Sequence, residues 1–559
     1  MTQREIWASD PFFDEQTRQA CAKLSAQEAE KLFSGTLHFG TGGLRAKMNV
    51  GTNSMNRYTV GLATQALCNL LLKEYGKSVC ADRGVALGYD TRINSRQFAH
   101  AAAQILTSNG IKAYLSKEAC PTPMLGFSVM HLNCLAGIVI TASHNPKEYN
   151  GYKVYDEEGC QLVPSKAKKV AECMQGIKDI RSLNFNMDES LLVRTDFTES
   201  FVDAVLNQQR LFDLNKKQSL SVVYTPLHGT GLKPISEALK KAGFENLHIV
   251  KEQAVQDGNF PTVPTPNPED HRALIMGVKL AKKTRADIVL GTDPDTDRIG
   301  ISVLHNGEYV FLSGNDVGAL LTDYLLSMDT KKDKSRTAVI STIVTGELGR
   351  KIAESYGAAH FATLTGFKYI GEKISQFKKA REQNDSQKSF DFLFAFEESY
   401  GYLAGEHVKD KDASVAALLI CEMAAQAKSE NMTLVDKLNY LHEKYGLELN
   451  ELISFSLEGE NAAQNMQENL KKLRNNKTPF KNIVKTIDFL SDVRQKDGFG
   501  LYPKENVLKY IFADGSWLAL RPSGTEPKLK AYFCISGKSK NEAQNKLDRL
   551  AAQVRSIFV

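Results

Sequence analysis

The sequence has few of the features that mark zinc, redox or membrane proteins. Its nine cysteines include no C-x-x-C pair, which excludes the usual zinc and thioredoxin-like spacings. The longest apolar stretch, near residues 413–421, ends at Glu422 and falls well short of the roughly 20 residues that span a bilayer. Residues 1–10 contain no apolar segment of the secretory type. We therefore expect a cytoplasmic protein with reduced thiols, soluble reactants and no membrane partner.

A strong charge of either sign is also absent. The 559 residues include 70 Lys or Arg and 65 Asp or Glu, so the net charge is only +5. This balance gives no reason to expect a nucleic-acid partner, although local basic clusters could bind small anions. The hydrophobic content of 42% is ordinary for a globular protein, and the length suggests about three to five domains.

Three common ligand motifs are missing as well. The glycine-rich loop at residues 39–45 lacks the G-x-G-x-x-G spacing of a dinucleotide site, and residues 521–528 lack the P-loop spacing. An EF-hand that began at Asp293 would need glycine and glutamate where the sequence has Arg298 and Leu304. These absences argue against the commonest nucleotide and calcium sites.

The sequence does contain a repeated alternation of short apolar strands and helices. Strands are predicted at residues 85–89, 137–141, 221–224, 287–290, 338–340 and 392–396. A proline-rich surface loop is predicted at residues 257–270. From about residue 461 the pattern changes, with a capping box predicted at Ser539 and Glu542 before the last helix. The sequence therefore predicts an α/β protein with a separate C-terminal α+β domain.

Three of the predicted strands run directly into polar loops, which begin near Ser143, Asp293 and Glu397. In open α/β sheets, ligands gather at the carboxyl ends of the strands. If three related domains face one cleft, we expect these loops to meet there.

The first loop reads T-A-S-H-N-P and contains Ser143 and His144. Serine is a weak nucleophile unless a neighbouring base, hydrogen-bond donors or a metal activates it. The same residue types also favour an ordinary strand-to-helix turn. The hexapeptide alone leaves both interpretations open.

The second loop reads G-T-D-P-D-T-D-R and places Asp293, Asp295 and Asp297 at alternate positions. In an extended loop, alternation points all three carboxylates to one side, where a cation is needed to offset their charge. Oxygen ligands select a hard ion, and Mg²⁺ fits best because it usually shares its shell with phosphate oxygens and water. The alternative is a solvated acidic turn.

Two further loops offer groups that suit a phosphorylated sugar. Glu397 and Ser399 could exchange hydrogen bonds with sugar hydroxyls, although E-E-S alone is better explained as a surface loop. The segment R-P-S-G-T-E-P-K combines an arginine fork, two hydroxyls and a glycine that lets backbone N–H groups approach an anion. A simple basic turn is the alternative for its residues Arg521, Ser523, Gly524 and Thr525.

Three isolated residues carry weaker signals. Arg45 follows a permissive glycine loop that could equally be a plain flexible turn. Lys368 follows a glycine turn and could exchange protons if nearby cations or burial lowered its pKa, although most lysines are simply solvated. His228 could be structural or could line a cleft.

Taken together, these loops resemble the motifs of the α-D-phosphohexomutase superfamily. The resemblance runs from about residue 40 to residue 530. It includes, in the expected order, the glycine-arginine loop, T-A-S-H-N-P, D-P-D-x-D-R, E-E-S and R-P-S-G-T-E-P. The sequence looks closest to the bacterial α-phosphoglucomutases and the phosphopentomutase-type branch, which T-G-F-K at residues 365–368 and K-D-K-D at residues 409–412 support.

The resemblance implies four domains around a central cleft, three of them α/β and the last a smaller α+β domain. The predicted limits are residues 1–205 with the phosphoserine loop, 206–315 with the metal loop, 316–445 with the sugar-binding loop and 446–559 with the phosphate-binding loop.

The resemblance also implies a role for each site residue. Ser143 would carry the transferable phosphate and contribute one oxygen to an Mg²⁺ held by Asp293, Asp295 and Asp297. The reacting phosphoryl group would be surrounded by Arg45, His144, Arg298 and Lys368, with Lys368 the favoured proton carrier. Glu397 and Ser399 would bind sugar hydroxyls, while Arg521, Ser523, Gly524 and Thr525 would hold the phosphate that is not transferred.

The activity implied is the interconversion of glucose 1-phosphate and glucose 6-phosphate through a glucose 1,6-bisphosphate intermediate, which would also be the activator. Phosphopentomutase, phosphomannomutase, glucose 1,6-bisphosphate synthase and a non-catalytic sugar-phosphate-binding protein are the alternatives. Two departures matter: Ala46 replaces a glycine of many relatives, and E-E-S continues as Tyr400-Gly401-Tyr402 without a histidine, which weakens the mannose alternative. A monomer or a homodimer is expected.

Overall fold

The computed structural model describes residues 1–40, 42–456, 461–476, 479–522 and 528–558. The chain forms two compact units. Unit 1 contains Met1–Leu312, Ile370–Ser375 and Ser399–Ser429, and unit 2 contains Ser313–Tyr369, Gln376–Glu398 and Glu430–Val559. In the described ranges, every helix is too short or too polar to cross a membrane.

The first part of unit 1 is built on a six-stranded sheet in the order β1-β5-β4-β2-β3-β6. Strands β4, β2, β3 and β6 are parallel neighbours, while β5 pairs antiparallel with both β4 and β1. Its elements are α1 (Gln3–Ser9), α2 (Glu15–Lys23), α3 (Ala26–Phe33), β1 (Gly43–Lys47), α4 (Arg57–Arg83), β2 (Val85–Tyr89), α5 (Ser95–Ser108), β3 (Ala113–Ser116), α6 (Thr122–His131), β4 (Ala136–Ile140), β5 (Tyr149–Asp156), α7 (Pro164–Gln175) and β6 (Leu192–Thr195).

A five-stranded sheet follows in the same unit, in the order β11-β10-β9-β7-β8. Strands β7, β8 and β9 are parallel, and β9, β10 and β11 continue as an antiparallel meander. The elements are α8 (Thr198–Leu206), α9 (Leu214–Ser219), β7 (Val222–Thr225), α10 (Leu232–Lys241), β8 (Leu247–Ile249), α11 (Ile275–Thr284), β9 (Ile288–Thr292), β10 (Ile299–His305) and β11 (Glu308–Leu312).

The third part of the chain contributes to both units. In unit 2, β12 pairs in parallel with β13 and with β14. In unit 1, α15 packs on α8, α9, α10 and β15, so the longest apolar stretch of the sequence is a buried helix. The elements are α12 (Gly314–Met328), β12 (Thr337–Thr342), α13 (Leu348–Ser355), β13 (Ala359–Thr363), α14 (Phe367–Glu382), β14 (Asp391–Glu397), β15 (Gly401–Ala404), α15 (Ala413–Ser429) and α16 (Leu434–Tyr445).

The C-terminal part of unit 2 is an antiparallel sheet in the order β16-β20-β19-β18-β17. Helices α17 and α18 bury Leu470 and Leu547 in one cluster with Phe533 of the sheet. The elements are β16 (Leu447–Ser456), α17 (Ala462–Asn475), β17 (Ile483–Asp488), β18 (Leu508–Phe512), β19 (Trp517–Pro522), β20 (Lys528–Gly537) and α18 (Lys540–Phe558).

The predicted alternation of strands and helices, and the change to α+β near the C-terminus, are confirmed. One local prediction differs in detail at the start of α18. Ser539 Oγ accepts a hydrogen bond from the N–H of Glu542 as expected. The Glu542 carboxylate, however, accepts from the N–H of Lys538, one residue before the partner that a capping box requires.

Candidate active site

The serine loop follows directly from the buried strand β4. Ser143 has a left-handed backbone, with φ of 53°, and is only 3% exposed. Its N–H donates to Thr141 Oγ1 over 2.8 Å. A non-glycine residue in this region of φ is uncommon and costs free energy, so the surrounding contacts must hold the loop in place.

The aspartate loop follows β9 and brings its three carboxylates together. One oxygen from each of Asp293, Asp295 and Asp297 lies within 4.8 Å of the others, and all three residues are buried. The prediction of an extended loop was wrong, because the segment is a tight turn in which Thr296 has φ of 57°. The turn directs the carboxylates to one point by curvature instead of by strand alternation.

Ser143 and the aspartate loop are in direct contact, although 150 residues separate Ser143 from Asp293 in the chain. The Ser143 hydroxyl donates to Asp293 Oδ2 over 2.8 Å, and its Oγ lies 3.3 Å from His144 Nδ1. The sequence predicted that three loops meet, and this contact confirms the prediction for the serine and aspartate loops.

Burial and mutual repulsion dominate the electrostatics of the aspartates. Burial raises the pKa of Asp293 well above its ordinary value, and the neighbouring Asp295 and Asp297 carboxylates raise it further. Burial would also raise the pKa of Asp295, but the Lys153 ammonium and hydrogen bonds lower it below the usual range. Nearby positive charge is therefore needed to stabilise three buried carboxylates that lie so close together.

These aspartates have a donor set that suits a hard cation. In the described part of the chain, Asp295 Oδ1 and Asp297 Oδ1 are buried without a hydrogen-bond partner. Buried oxygens that lack a partner are costly, and a cation with oxygen ligands relieves that cost. The cluster could therefore hold a metal ion, and its ligand chemistry fits Mg²⁺.

Three residues that contact the cluster were not assigned a role from the sequence. Lys153 Nζ lies 2.9 Å from Asp295 Oδ2, and Lys411 Nζ lies 3.1 Å from Asp297 Oδ2. Thr122 Oγ1, at the start of α6, donates to Asp295 Oδ2 over 2.8 Å. Only Lys411 had a signal in the sequence, because it lies in the K-D-K-D segment that marked the branch.

The two arginines predicted to surround the phosphoryl group, Arg298 and Arg45, have different contacts. Arg298 pairs with Glu269 of the proline-rich loop, and its Nε lies 3.8 Å from Asp297 Oδ1. Arg45, on β1, is exposed and donates to Asn145 Oδ1 over 3.4 Å.

His144 is partly exposed and carries no charge at neutral pH. Burial of the ring, with the cationic Arg298 and Arg45 nearby, lowers the pKa of His144 well below its ordinary value. The neutral ring can therefore exchange hydrogen bonds with Ser143 Oγ in either direction, according to its tautomer.

His228, which the sequence left undecided, is structural. The ring is buried, with Nδ1 2.8 Å from the Val255 carbonyl oxygen and Nε2 2.8 Å from Thr262 Oγ1. Both ring nitrogens are thus engaged with neighbouring residues.

Two of the predicted site residues, Glu397 and Lys368, lie in unit 2. Glu397, at the end of β14, is buried, and its Oε1 accepts the N–H of Gly366 over 2.9 Å. This contact joins the E-E-S loop to the T-G-F-K loop, where Lys368 lies in the first turn of α14 with its Nζ 5.2 Å from the centre of the Tyr369 ring. Ser399 is partly exposed and belongs to unit 1.

The last predicted loop is only partly described. Arg521, on β19, forms an ion pair with Glu505 at 2.8 Å. Ser523, Gly524 and Thr525 lie outside the described residues.

Four family models of phosphoglucomutase/phosphomannomutase match the chain in order. The three α/β/α domains match residues 36–181, 199–307 and 313–445, and the C-terminal domain matches residues 463–553.

Curated relatives match nearly the whole chain. A phosphoglucomutase of Staphylococcus haemolyticus is 36% identical over 520 residues, which cover 91% of this chain and 92% of that protein. A phosphoglucomutase of Staphylococcus aureus (strain MRSA252) is 34% identical over 563 residues and covers 98% of both.

Solved structures share the fold. The parafusin (phosphoglucomutase) of Paramecium has a TM-score of 0.72 at 18% identity and covers 94% of this chain and 95% of its own. A putative phosphomannomutase of Thermus thermophilus has a TM-score of 0.66 at 22% identity, with 93% and 99% covered. The family models and the full-length relatives show that the chain belongs to the phosphoglucomutase/phosphomannomutase family, within the α-D-phosphohexomutase superfamily.

Proposed function

We propose that this protein is a Mg²⁺-dependent phosphoglucomutase that interconverts glucose 1-phosphate and glucose 6-phosphate through a phosphoserine at Ser143. The observation that carries the proposal is the 2.8 Å hydrogen bond from the Ser143 hydroxyl to Asp293, inside a cluster of three buried aspartates. A nucleophilic oxygen beside a site for a divalent cation is the arrangement that phosphoryl transfer needs.

The reaction that we propose has two half-reactions. In the first, the phosphoryl group on Ser143 Oγ passes to the free sugar hydroxyl: the P–Oγ bond breaks, the new P–O bond forms, Ser143 Oγ leaves as an alkoxide and the proton goes to a base. In the second, the alkoxide attacks the other phosphate of glucose 1,6-bisphosphate, and the base returns its proton to the departing sugar oxygen. For this base we propose the amine of Lys368.

The charged residues of unit 1 manage the charge that develops during transfer. Asp293, Asp295 and Asp297 would hold Mg²⁺, with Ser143 as a fourth ligand. When bound there, Mg²⁺ supplies positive charge against the negative charge of the transferred group. We propose that Arg45 and Arg298 face the phosphoryl oxygens, and that the neutral His144 ring hydrogen-bonds to Ser143 Oγ.

The remaining predicted residues would bind the parts of the substrate that do not react. We propose sugar-hydroxyl contacts for Glu397 and Ser399. We assign the other phosphate to Arg521, Ser523, Gly524 and Thr525, because an arginine fork beside a glycine turn suits a phosphate. Domain limits at residues 205, 315 and 445, a cytoplasmic location and a monomer or homodimer stay predictions.

Glucose is proposed as the sugar because the curated full-length relatives carry the name phosphoglucomutase. Pentose 1-phosphates and mannose 1-phosphate are the competing substrates, and glucose 1,6-bisphosphate is the proposed activator. Comparison of kcat/KM for glucose, ribose and mannose 1-phosphates, with and without the bisphosphate, tests this choice. A higher value for ribose 1-phosphate would reassign the enzyme as a phosphopentomutase.

The covalent step is tested with Ser143→Ala. Ser190→Ala is the matched control, because Ser190 is an exposed serine just before β6 in the same unit. We expect phosphopeptide mass spectrometry to find phosphate at Ser143 in the wild type and in Ser190→Ala, and mutase turnover to be lost only in Ser143→Ala. Normal turnover in Ser143→Ala would refute the mechanism. Sugar-phosphate binding without phosphoserine or turnover in the wild type would favour the non-catalytic alternative.

A further inference from the structure

Arg92 lies in the turn between β2 and α5 and is almost completely buried, with 3% of its surface exposed. The turn belongs to the segment G-Y-D-T-R-I-N-S. A buried arginine needs hydrogen-bond acceptors for its five donors and a partner for its charge. Its partners therefore indicate what the side chain does.

Most of those partners are backbone carbonyl oxygens of the serine loop. Arg92 Nη2 donates to the carbonyl of Ser143 over 2.5 Å and also to that of Asn145. Its Nη1 donates to the carbonyls of Pro146 at 3.0 Å and Tyr149 at 3.2 Å. One guanidinium thus binds three carbonyl oxygens of the serine loop and one at the start of β5.

The convergence of these carbonyls explains how Ser143 keeps its left-handed backbone. Four carbonyl dipoles that point to one place repel one another unless a cation lies between them. The left-handed conformation of a non-glycine residue costs free energy, and charge-assisted hydrogen bonds contribute enough to offset that cost. In this conformation the Ser143 hydroxyl reaches Asp293.

Arg92 is itself held from two sides. Its Nε lies 3.4 Å from Asp90 Oδ2, while Asp90 Oδ1 accepts from Ser95 Oγ over 2.6 Å. The ring of Phe260 lies over the guanidinium at 5.0 Å. Gly258 packs so closely that a Cβ there would lie 2.5 Å from the backbone nitrogen of Ile93. The proline-rich loop, which had no function in the sequence, therefore covers the Arg92 turn.

We infer that Arg92 is a positioning residue for phosphoryl transfer: it fixes the backbone of the serine loop so that Ser143 Oγ is directed at the aspartate cluster, and the loop at residues 257–270 seals it in place. This role rests on the proposed function, because it gives Arg92 the task of aligning the nucleophile. Arg92 touches the loop backbone and needs no contact with the substrate.

The test compares Arg92→Ala and Arg92→Lys with Arg83→Ala. Arg83 is a matched control because it also donates to backbone carbonyls of unit 1, at Asn133 and Cys134, outside the serine loop. Each full-length variant is assayed for kcat and KM with glucose 1-phosphate, for phosphate at Ser143, and for amide hydrogen exchange in peptides that cover residues 141–150.

We expect kcat of Arg92→Ala to fall about 100-fold with KM changed by less than about threefold, since displacement of a reacting atom by about 1 Å has that effect. Arg92→Lys, which keeps the charge but has fewer donors, should lie between. Added guanidinium chloride, at concentrations too low to unfold the protein, should restore about tenfold of the loss in Arg92→Ala and nothing in Arg83→Ala. Exchange in residues 141–150 should rise only in the Arg92 variants.

The outcomes separate this inference from the proposed function. Wild-type-like kcat and exchange in Arg92→Ala would overturn the inference and leave the mutase proposal intact. A wild type without phosphoserine or turnover would refute the mutase proposal, while the exchange data would still decide whether Arg92 holds the loop. If Arg92→Ala does not fold, the result with Arg92→Lys decides. If its kcat falls while protection from hydrogen exchange is lost equally across the whole of unit 1, Arg92 has a general structural role and the inference is overturned.

Discussion

The charge balance of the aspartate cluster can be tested by removal of one counter-ion. Lys153 Nζ lies 2.9 Å from Asp295 and 3.5 Å from Asp297, and its side chain is only 11% exposed. Burial lowers the pKa of Lys153, but the two carboxylates more than compensate and raise it, so the side chain is charged at neutral pH. Lys153→Met keeps the length of the apolar stem and removes the ammonium.

The expected cost follows from leaving a buried carboxylate without its partner. Breaking a buried ion pair in this way costs about 3–5 kcal/mol. We expect the unfolding free energy of the metal-free protein to fall by that amount, which lowers the midpoint of the unit 1 transition by roughly 4–7 °C, because unit 1 contains about 350 residues. Differential scanning calorimetry in a chelator measures this change.

Mg²⁺ should reverse much of the loss. Because the ammonium no longer competes for the Asp295 oxygen, Lys153→Met should bind Mg²⁺ more tightly than the wild type in calorimetric titrations, and saturating Mg²⁺ should raise its midpoint more. Lys166→Met is the matched control, since Lys166 pairs with Asp156 at 2.6 Å but is 49% exposed, and should cost less than about 1 kcal/mol. Equal losses in the two variants, or a Lys153→Met protein that Mg²⁺ does not stabilise, would refute this reasoning.

Three further predictions concern single residues. Asp295→Asn should raise the Mg²⁺ concentration for half-maximal activity about tenfold or more, because one charged ligand is lost; an unchanged requirement would exclude this aspartate as a ligand. His360 is buried with Nε2 2.9 Å from Ser341 Oγ, and burial lowers the pKa of His360 to about 3. As the pH falls, the unfolded chain binds this proton before the folded protein does, so the unfolding free energy of the wild type should fall by about 2 kcal/mol between pH 7.5 and pH 5. The unfolding free energy of His360→Gln should fall less. If urea unfolding gives the same pH dependence for both proteins, this reasoning is contradicted. In Gly318→Ala the new Cβ would lie 2.0 Å from the Phe396 ring, so the unfolding free energy of unit 2 should fall by about 1–3 kcal/mol and its thermal midpoint should fall accordingly. An unchanged midpoint would show that the ring moves freely.

The fold could be predicted from the sequence because its signals are local. Strands such as β4 and β9 are short apolar runs between helical periods, and each is followed at once by the polar loop that it positions. The contact between Ser143 and Asp293 follows from a rule about strand ends, so it could be expected without knowledge of side-chain packing.

The counter-ions of the site could not be predicted in the same way. Lys153 lies 142 residues before its partner Asp295 in the sequence. Lys411, the partner of Asp297, lies in the segment between β15 and α15. A lysine in a strand or a loop has the same local pattern whether it faces solvent or a buried carboxylate. Only the packing of β5 and of the segment before α15 decides which lysines enter the site.

The serine loop contains two hydroxyls, and they have different surroundings in the structure. The Thr141 hydroxyl is buried within the loop, where it accepts the N–H of Ser143. It therefore braces the loop backbone. The left-handed turn two residues later carries the Ser143 hydroxyl to Asp293 instead. In the proposed mechanism, selection of the nucleophile is thus a property of backbone conformation, which we infer that Arg92 maintains from a turn 51 residues earlier in the chain.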